Sequence, residues 1–199
     1  MADLIDLTDL KLALGLEGTT GSDTYLTALI ARVSDTINRY CGMVDDKHAV
    51  IAWDNTTALT RILDGFGDYA LVLPHKNVKQ VNSLHEDVEH VFGATTEIAA
   101  ADRFLDGPPG IVYKAGVVAF VEYPQAVKVV YVLNWSGVPD VVKQAAIIQC
   151  GYDWNVRKNQ GVESKSLPDG SVVFSHATGL VKTAKELLTT VVNPSGVFR

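Results

Sequence analysis

The segment HEDVEH, residues 85–90, sets His85 and His90 around the carboxylates Glu86, Asp87 and Glu89. Imidazole and carboxylate at close spacing are ligand types for zinc, and the helical signature of many zinc hydrolases is H-E-x-x-H. In that signature both histidines lie on one helix face and share an ion, while the glutamate moves the proton. Here the pattern is H-E-x-x-x-H. Five residues of α-helix turn the chain by about 500°, which leaves the two rings roughly 140° apart around the axis. A helix would therefore keep them off a common ion. An extended loop would let them meet one, with Asp87 and Glu89 beside them. Two readings stand: a solvated acidic loop, or a small metal-dependent hydrolase using His85 and His90.

The other chemical motifs are weaker. GLEGTTGSD, residues 15–23, has the glycines of a phosphate loop but no G-K-[ST] ending and no preceding strand, so it reads as a turn between helices. DGFGD (64–68) and DGPPG (106–110) lack the alternating ligands of a calcium loop and read as hairpin turns. No G-x-S-x-G nucleophile elbow occurs. Cys41 and Cys150, the only cysteines, sit in helical patterns among apolar neighbours, which suits buried thiols better than a disulfide framework. The expectation is no catalytic residue, no metal and no cofactor.

The surrounding elements belong to an ordinary globular chain. Of its 199 residues, 47% are apolar and 20% charged, enough for a substantial core. The formal net charge is −6, without the basic excess of a nucleic-acid-binding module. The opening MADLIDLTDLK is acidic and has no long apolar core, unlike a signal peptide. The most apolar stretch, Gly116 to Leu133, is interrupted by Glu122, Pro124, Gln125 and Lys128, which suits strands rather than a membrane span. A soluble protein made in the cytoplasm is expected.

Hydrophobic spacing predicts helices over about 8–15, 22–41, 139–158 and 181–192. Thr8 is the expected N-cap of the first, and Gly15 its stop. The second carries one stripe of Leu26, Leu29, Ile30, Val33, Ile37 and Tyr40 and closes at Cys41-Gly42. Between residues 59 and 135, short β-like runs alternate with Gly and Pro: ALVLP (70–74), GIVYKAG (110–116), VVAFVEY (117–123) and VKVVYVLNW (127–135). Val127, Val129, Tyr131 and Leu133 fall on one face of the last run. After it come a polar loop, 159–170, and the short strand candidate SVVFS.

The helix in GVPDVVKQAAIIQCGYDWNVRKN, residues 137–159, starts with Pro139 at its first turn and a helpful charge at Asp140. One apolar stripe runs through Val141, Ala145, Ile148 and Tyr152, and a second through Ile147, Cys150 and Trp154. A surface helix has a single apolar face. Two faces mean burial on two sides, either inside one subunit or against a neighbouring copy.

Four pieces, in order, resemble the head–tail connector (adaptor) proteins of tailed bacteriophages. LTDLKLALGLEG followed by DTYLTALIARVSDTINRYCG is similar to their opening helix pair. LVLPHKNVKQVNSL is similar to their Leu-rich strand, Pro and Val-x-x-Val. VKVVYVLNWSGVPDVVKQAAIIQCGYDWNVRKN is similar to their final strand and Pro-initiated helix with a Lys-Gln-Ala-Ala core. GVESKSLPDGSVVFS, a helix and a terminal Phe-Arg resemble their C-terminal arm, although the tail reads Pro-Ser-Gly-Val-Phe-Arg where the family tends to Pro-Tyr-Arg. Residues 84–105 lie outside the resemblance.

The resemblance implies a non-enzymatic virion protein of the neck, assembled in the host cytoplasm. Copies would form a ring, dodecameric by the resemblance, beneath the portal protein. The ring would extend the DNA channel without specific DNA binding and offer a surface to the next tail or neck (stopper) protein. The fold expected is α+β: a small helical bundle with an inserted antiparallel β region and a C-terminal helical arm, divided as a core over 1–178 and an arm over 179–199. Ile147, Cys150 and Trp154 are the candidate subunit contacts. Leu180, Leu187, Leu188, Val191, Phe198 and Arg199 are the candidate portal-docking residues, unless the last helix packs back on its own domain.

Overall fold

Each of the four predicted helices finds an element in the computed structural model, which describes residues 3–44, 49–116, 118–157, 164–167, 170–173 and 179–192. The fold is α+β, in two compact units. The first comprises Met1–Asn38 and Asp140–Leu188; the second comprises Arg39–Pro139 and Thr189–Arg199.

In the first unit, α1 spans Leu7–Leu14 and α2 spans Asp23–Tyr40, whose last two residues open the second unit. The N-cap of α1 is Asp6 rather than Thr8: its carboxylate accepts the Asp9 N–H at 2.7 Å. Thr8 already lies inside the first turn. Gly15 ends α1 at φ 64°, and the Gly15 and Leu16 amides donate back to the Leu12 and Lys11 carbonyls, a paired C-terminal cap. Lys11 reaches Asp23 at the start of α2, 2.8 Å away. Along α2 the buried side chains are Leu26, Leu29, Ile30, Val33, Ser34, Ile37 and Asn38: the expected stripe gains two polar members, while its last member, Tyr40, is only half-buried. Ser34 accepts the buried Leu4 N–H at 3.0 Å, which fixes the N-terminal segment to α2.

Helix α3, Asp140–Val156, differs from the two-stripe expectation. Its buried residues are Val142, Ala145, Ala146, Gln149 and Cys150, one stripe lying between the two predicted ones. The alanines let neighbouring backbones approach closely, so the larger Ile147, Ile148 and Trp154 flank the contact, half-buried. Strands β7 (Ser164–Leu167) and β8 (Gly170–Val173) form an antiparallel pair where a polar loop and a single strand are expected from sequence. Helix α4 spans only Lys182–Leu188 and buries Ala184 and Leu188. The Gln149 side chain accepts the Val181 N–H at 2.8 Å, a cap for the entry to α4 supplied by α3.

In the second unit, β1 (Ala58–Phe66) and β3 (Val78–Glu86) pair antiparallel with the two edges of β6 (Glu122–Leu133). A smaller sheet has the order β2 (Ala70–Val72), β5 (Ile111–Lys114), β4 (Arg103–Asp106). Val127, Val129, Tyr131 and Leu133 are all buried. The run 117–123 becomes strand only from Glu122. The DGPPG turn joins β4 to β5 as expected, and Gly107 has no room for a side chain, since a β-carbon there would stand 2.4 Å from the Val78 carbonyl oxygen. DGFGD instead ends β1, at a register shift between Leu63 and Gly65, and leads into the other sheet. After α4 the chain joins this unit: the Lys76 N–H donates to Val191 O at 3.1 Å, the Lys76 ammonium to Thr189 O at 2.7 Å, and His75 bridges Val192. No helix among the described residues is long and apolar enough to cross a membrane.

Candidate functional site

The HEDVEH segment divides between two kinds of structure. His85 and Glu86 end β3, and Asp87 to His90 begin a loop. Asp87 organises that loop: one carboxylate oxygen accepts the Glu89 N–H at 2.9 Å, the other the Val91 and Phe92 N–H groups at 3.1 and 2.9 Å. These backbone donors hold the Asp87 carboxyl below the usual carboxylate range. The His85 Nδ1 lies 3.3 Å from Gly93 O, and the His90 Nδ1 lies 3.1 Å from Gln125 O. The two rings thus engage different backbone carbonyls. Among the described residues, no three His, Cys, Asp or Glu side chains group so as to hold a metal ion. Burial pushes the Cys41 and Cys150 thiols up to about 12, far from the thiolate that nucleophilic or ligand chemistry needs.

The same end of the second unit is held in an unusual backbone. His90 (φ 60°), Phe92 (φ 52°) and Gln125 (φ 53°) all adopt left-handed conformations. Such positions cost roughly 1–3 kcal/mol each and persist only where surroundings impose them. Here the Asp87 carboxylate fixes one side. The His90 ring sits 6.2 Å from Phe92 and 6.0 Å from Tyr123, and the Lys128 ammonium lies 5.7 Å from the Phe92 ring. The Gln125 N–H donates to Asp64 at 2.9 Å, beside the register shift of β1.

A half-buried ion pair closes the arrangement. Lys114 meets Glu86 at 2.6 Å and donates to Ala119 O at 3.0 Å, while the second Glu86 oxygen accepts the Val121 N–H. The Phe120 N–H donates to Asp68 O at 2.9 Å. Residues 64–69, 86–93, 114–116 and 118–125 are therefore one bonded structure.

The residues expected to serve assembly lie elsewhere. Cys150 is fully buried in its own unit, and Ile147 and Trp154 are half-buried. Trp154 packs on Tyr25, ring centroids 5.8 Å apart, and the Arg157 guanidinium lies over the Trp154 ring, 3.2 Å from its centroid, forming a cation–π pair. Leu180, Leu188 and Val191 are buried and Leu187 half-buried, because α4 turns its apolar face toward α3 and the residues after it pair with the His75–Lys76 segment. Phe198 and Arg199 lie outside the described residues.

Sequence reasoning missed a buried polar pair. The His75 Nδ1 lies 2.6 Å from the Tyr131 hydroxyl, and both residues are inaccessible. The nearby Arg61 guanidinium donates to the Gly42 and Val44 carbonyls. Burial, with the Arg61 charge adding to it, pushes the His75 imidazole down to about 3 and so keeps it neutral. Burial also raises the Tyr131 phenol above its ordinary value. The only signal in sequence is that Tyr131 sits on an inward-facing strand position, where a buried hydroxyl needs a partner.

No protein-family model and no curated protein matches the sequence. Among solved structures, a chain of the neck of an empty gene transfer agent (GTA) particle, computed with C6 symmetry, aligns over 84% of both chains at 16% identity and a TM-score of 0.50. The fold is shared with that neck chain. Chains of a native GTA virion and of a native GTA neck computed with C12 symmetry are also similar. The former has 16% identity, 94% and 88% of the two chains covered and a TM-score of 0.49; the latter has 18%, 82% of each chain and 0.43. At such identities the neck chain informs on architecture.

Proposed function

We propose that this chain is a structural protein of the neck of a tailed-phage-like particle: a head–tail connector whose copies form a ring beneath the portal, extend the DNA channel and offer an attachment surface to the next tail component. The observation that carries this reading is the fold shared with the GTA neck chain over 84% of both chains. The ordered sequence pieces that resemble phage connectors support it independently. The net charge of −6 suits a conduit through which DNA slides without adhering.

Rings arise from heterologous contacts between two different faces of each subunit. We assign one face to the Ile147 and Trp154 flank of α3, with Cys150 backing it from inside. Portal docking we assign to the chain end, with Phe198 and Arg199 as anchors and Leu187 as the α4 contribution. Leu180, Leu188 and Val191, buried in this chain, would position that end rather than touch the portal. Weak lateral contacts gain from multivalent docking, so the ring is expected to form on the portal.

The test is electron microscopy of the chain mixed with portal, where added ring density is expected. Deleting residues 193–199 should leave the melting temperature nearly unchanged and abolish portal binding. A discrete closed dimer, with and without portal, would refute the reading.

A further inference from the structure

Six large apolar side chains remain exposed at one end of the β unit. Phe66, Tyr69, Val88, Val91, Val118 and Tyr123 are accessible to 51, 54, 45, 74, 62 and 46%. They lie on the end of β1 and its following turn, the loop after β3, and the approach to and first residues of β6. The hydrogen bonds of Asp64, Asp68, Glu86, Asp87 and Lys114 tie those three segments together. Isolated exposed apolar residues are ordinary, but several brought together at one end mark a contact surface.

Two further observations give the surface a character. It is pre-shaped: the left-handed residues His90, Phe92 and Gln125 lie in it, held by the Asp87 carboxylate and the His90–Gln125 contact. A pre-shaped surface loses little conformational freedom on binding. It is also rimmed by negative charge. Asp68, Glu89 and Glu122 are exposed, whereas Lys114 is engaged by Glu86 and Lys128 lies over the Phe92 ring.

We propose that this end of the β unit docks a protein partner that presents apolar side chains ringed by lysine or arginine. A second copy meeting it through the same surface would set carboxylates against carboxylates. An anionic membrane would be repelled by the same rim. The proposal goes beyond the neck reading, because it rests on the β unit alone and names the chemistry of what binds there.

The full chain should be tested against an immobilised amphipathic helical peptide of leucine and lysine, and against its leucine and glutamate counterpart. Two variants separate the contributions: Val88→Ser with Val91→Ser, and Glu89→Lys with Glu122→Lys. All four side chains are exposed, so both variants should melt like wild type, and either one alone keeps the test alive if the other misfolds. The expected result is binding of the Leu/Lys peptide by wild type, weakened at least about tenfold by each variant, and no binding of the Leu/Glu peptide. The proposal is overturned if wild type ignores the Leu/Lys peptide, if both variants bind it undiminished, or if the Leu/Glu peptide binds as well. It is equally overturned if Val88 and Val91 prove to hold a dimer or to bind phosphatidylcholine vesicles. Ring density on the portal judges the neck reading separately, and its absence leaves the peptide result standing.

Discussion

A β-carbon built on Gly65 would stand 1.8 Å from the Val121 carbonyl oxygen, so the Val121 backbone lies where any side chain would be. Gly65→Ala should therefore lower stability by roughly 3 kcal/mol, read as a shift in denaturation midpoint. Val33, buried on α2, offers a test of the helical stripe: Val33→Asp should cost roughly 3–5 kcal/mol. A variant that melts like wild type would refute that burial. The His75–Tyr131 pair makes a pH prediction. The imidazole has its ordinary value near 6.5 when unfolded and about 3 when folded, so the unfolded chain binds the extra proton. Its contribution is complete above about pH 6.5 and declines at about 1.4 kcal/mol per pH unit as the pH falls toward 3. Relative to pH 7, denaturation at about pH 5 should show a loss of about 2 kcal/mol from this residue. That loss should vanish in a His75→Leu, Tyr131→Phe double variant, which removes both polar partners together.

At the scale of elements, Gln149 links two helices through one amide. Gln149→Ala would leave the Val181 N–H without its acceptor, at a cost of about 1–2 kcal/mol. Hydrogen exchange should accelerate at 181–188 before it changes in α2. The same residue shows what the sequence made legible and what it did not. The α2 stripe, the Gly15 stop and the inward face of β6 are local patterns, written by spacing along one element. The buried stripe of α3 is not: Ala145, Ala146 and Gln149 look less apolar than Ile147 and Ile148, yet small size and a partner for the amide place them innermost. Strands β1 and β3 carry Arg61, Asp64, Lys79, Gln80 and Asn82, so their periodicity is blurred, and they are strands because β6 offers both edges. Nothing local marks His75 as buried, since its partner Tyr131 lies 56 positions away. At the candidate sites, the metal-like spacing of His85 and His90 resolves into two contacts with backbone carbonyls, while the exposed apolar cluster has no sequence pattern because three separated segments build it.

At the scale of the whole molecule, charge is the property that sequence states outright. With 23 acidic and 17 basic side chains, the chain should give no mobility shift of duplex DNA even at about 50 mM salt, where phosphate contacts are strongest. A clear shift would contradict a conduit that lets DNA pass. The insertion of the β region between α2 and α3 is also legible along the chain, but the return of the residues after Leu188 to the β unit is not, because it depends on contacts with residues more than a hundred positions away.

That return of the chain has a mechanical consequence. The segment 189–192 is fastened to His75 and Lys76 by two hydrogen bonds and a bridge, and α4 comes only after this fastening when the chain is followed backward from its end. Tension applied at Val192 is therefore borne first by the Lys76 contacts and passes into the β unit. The helices are shielded until that clasp opens, so the clasp acts as a fuse in the load path.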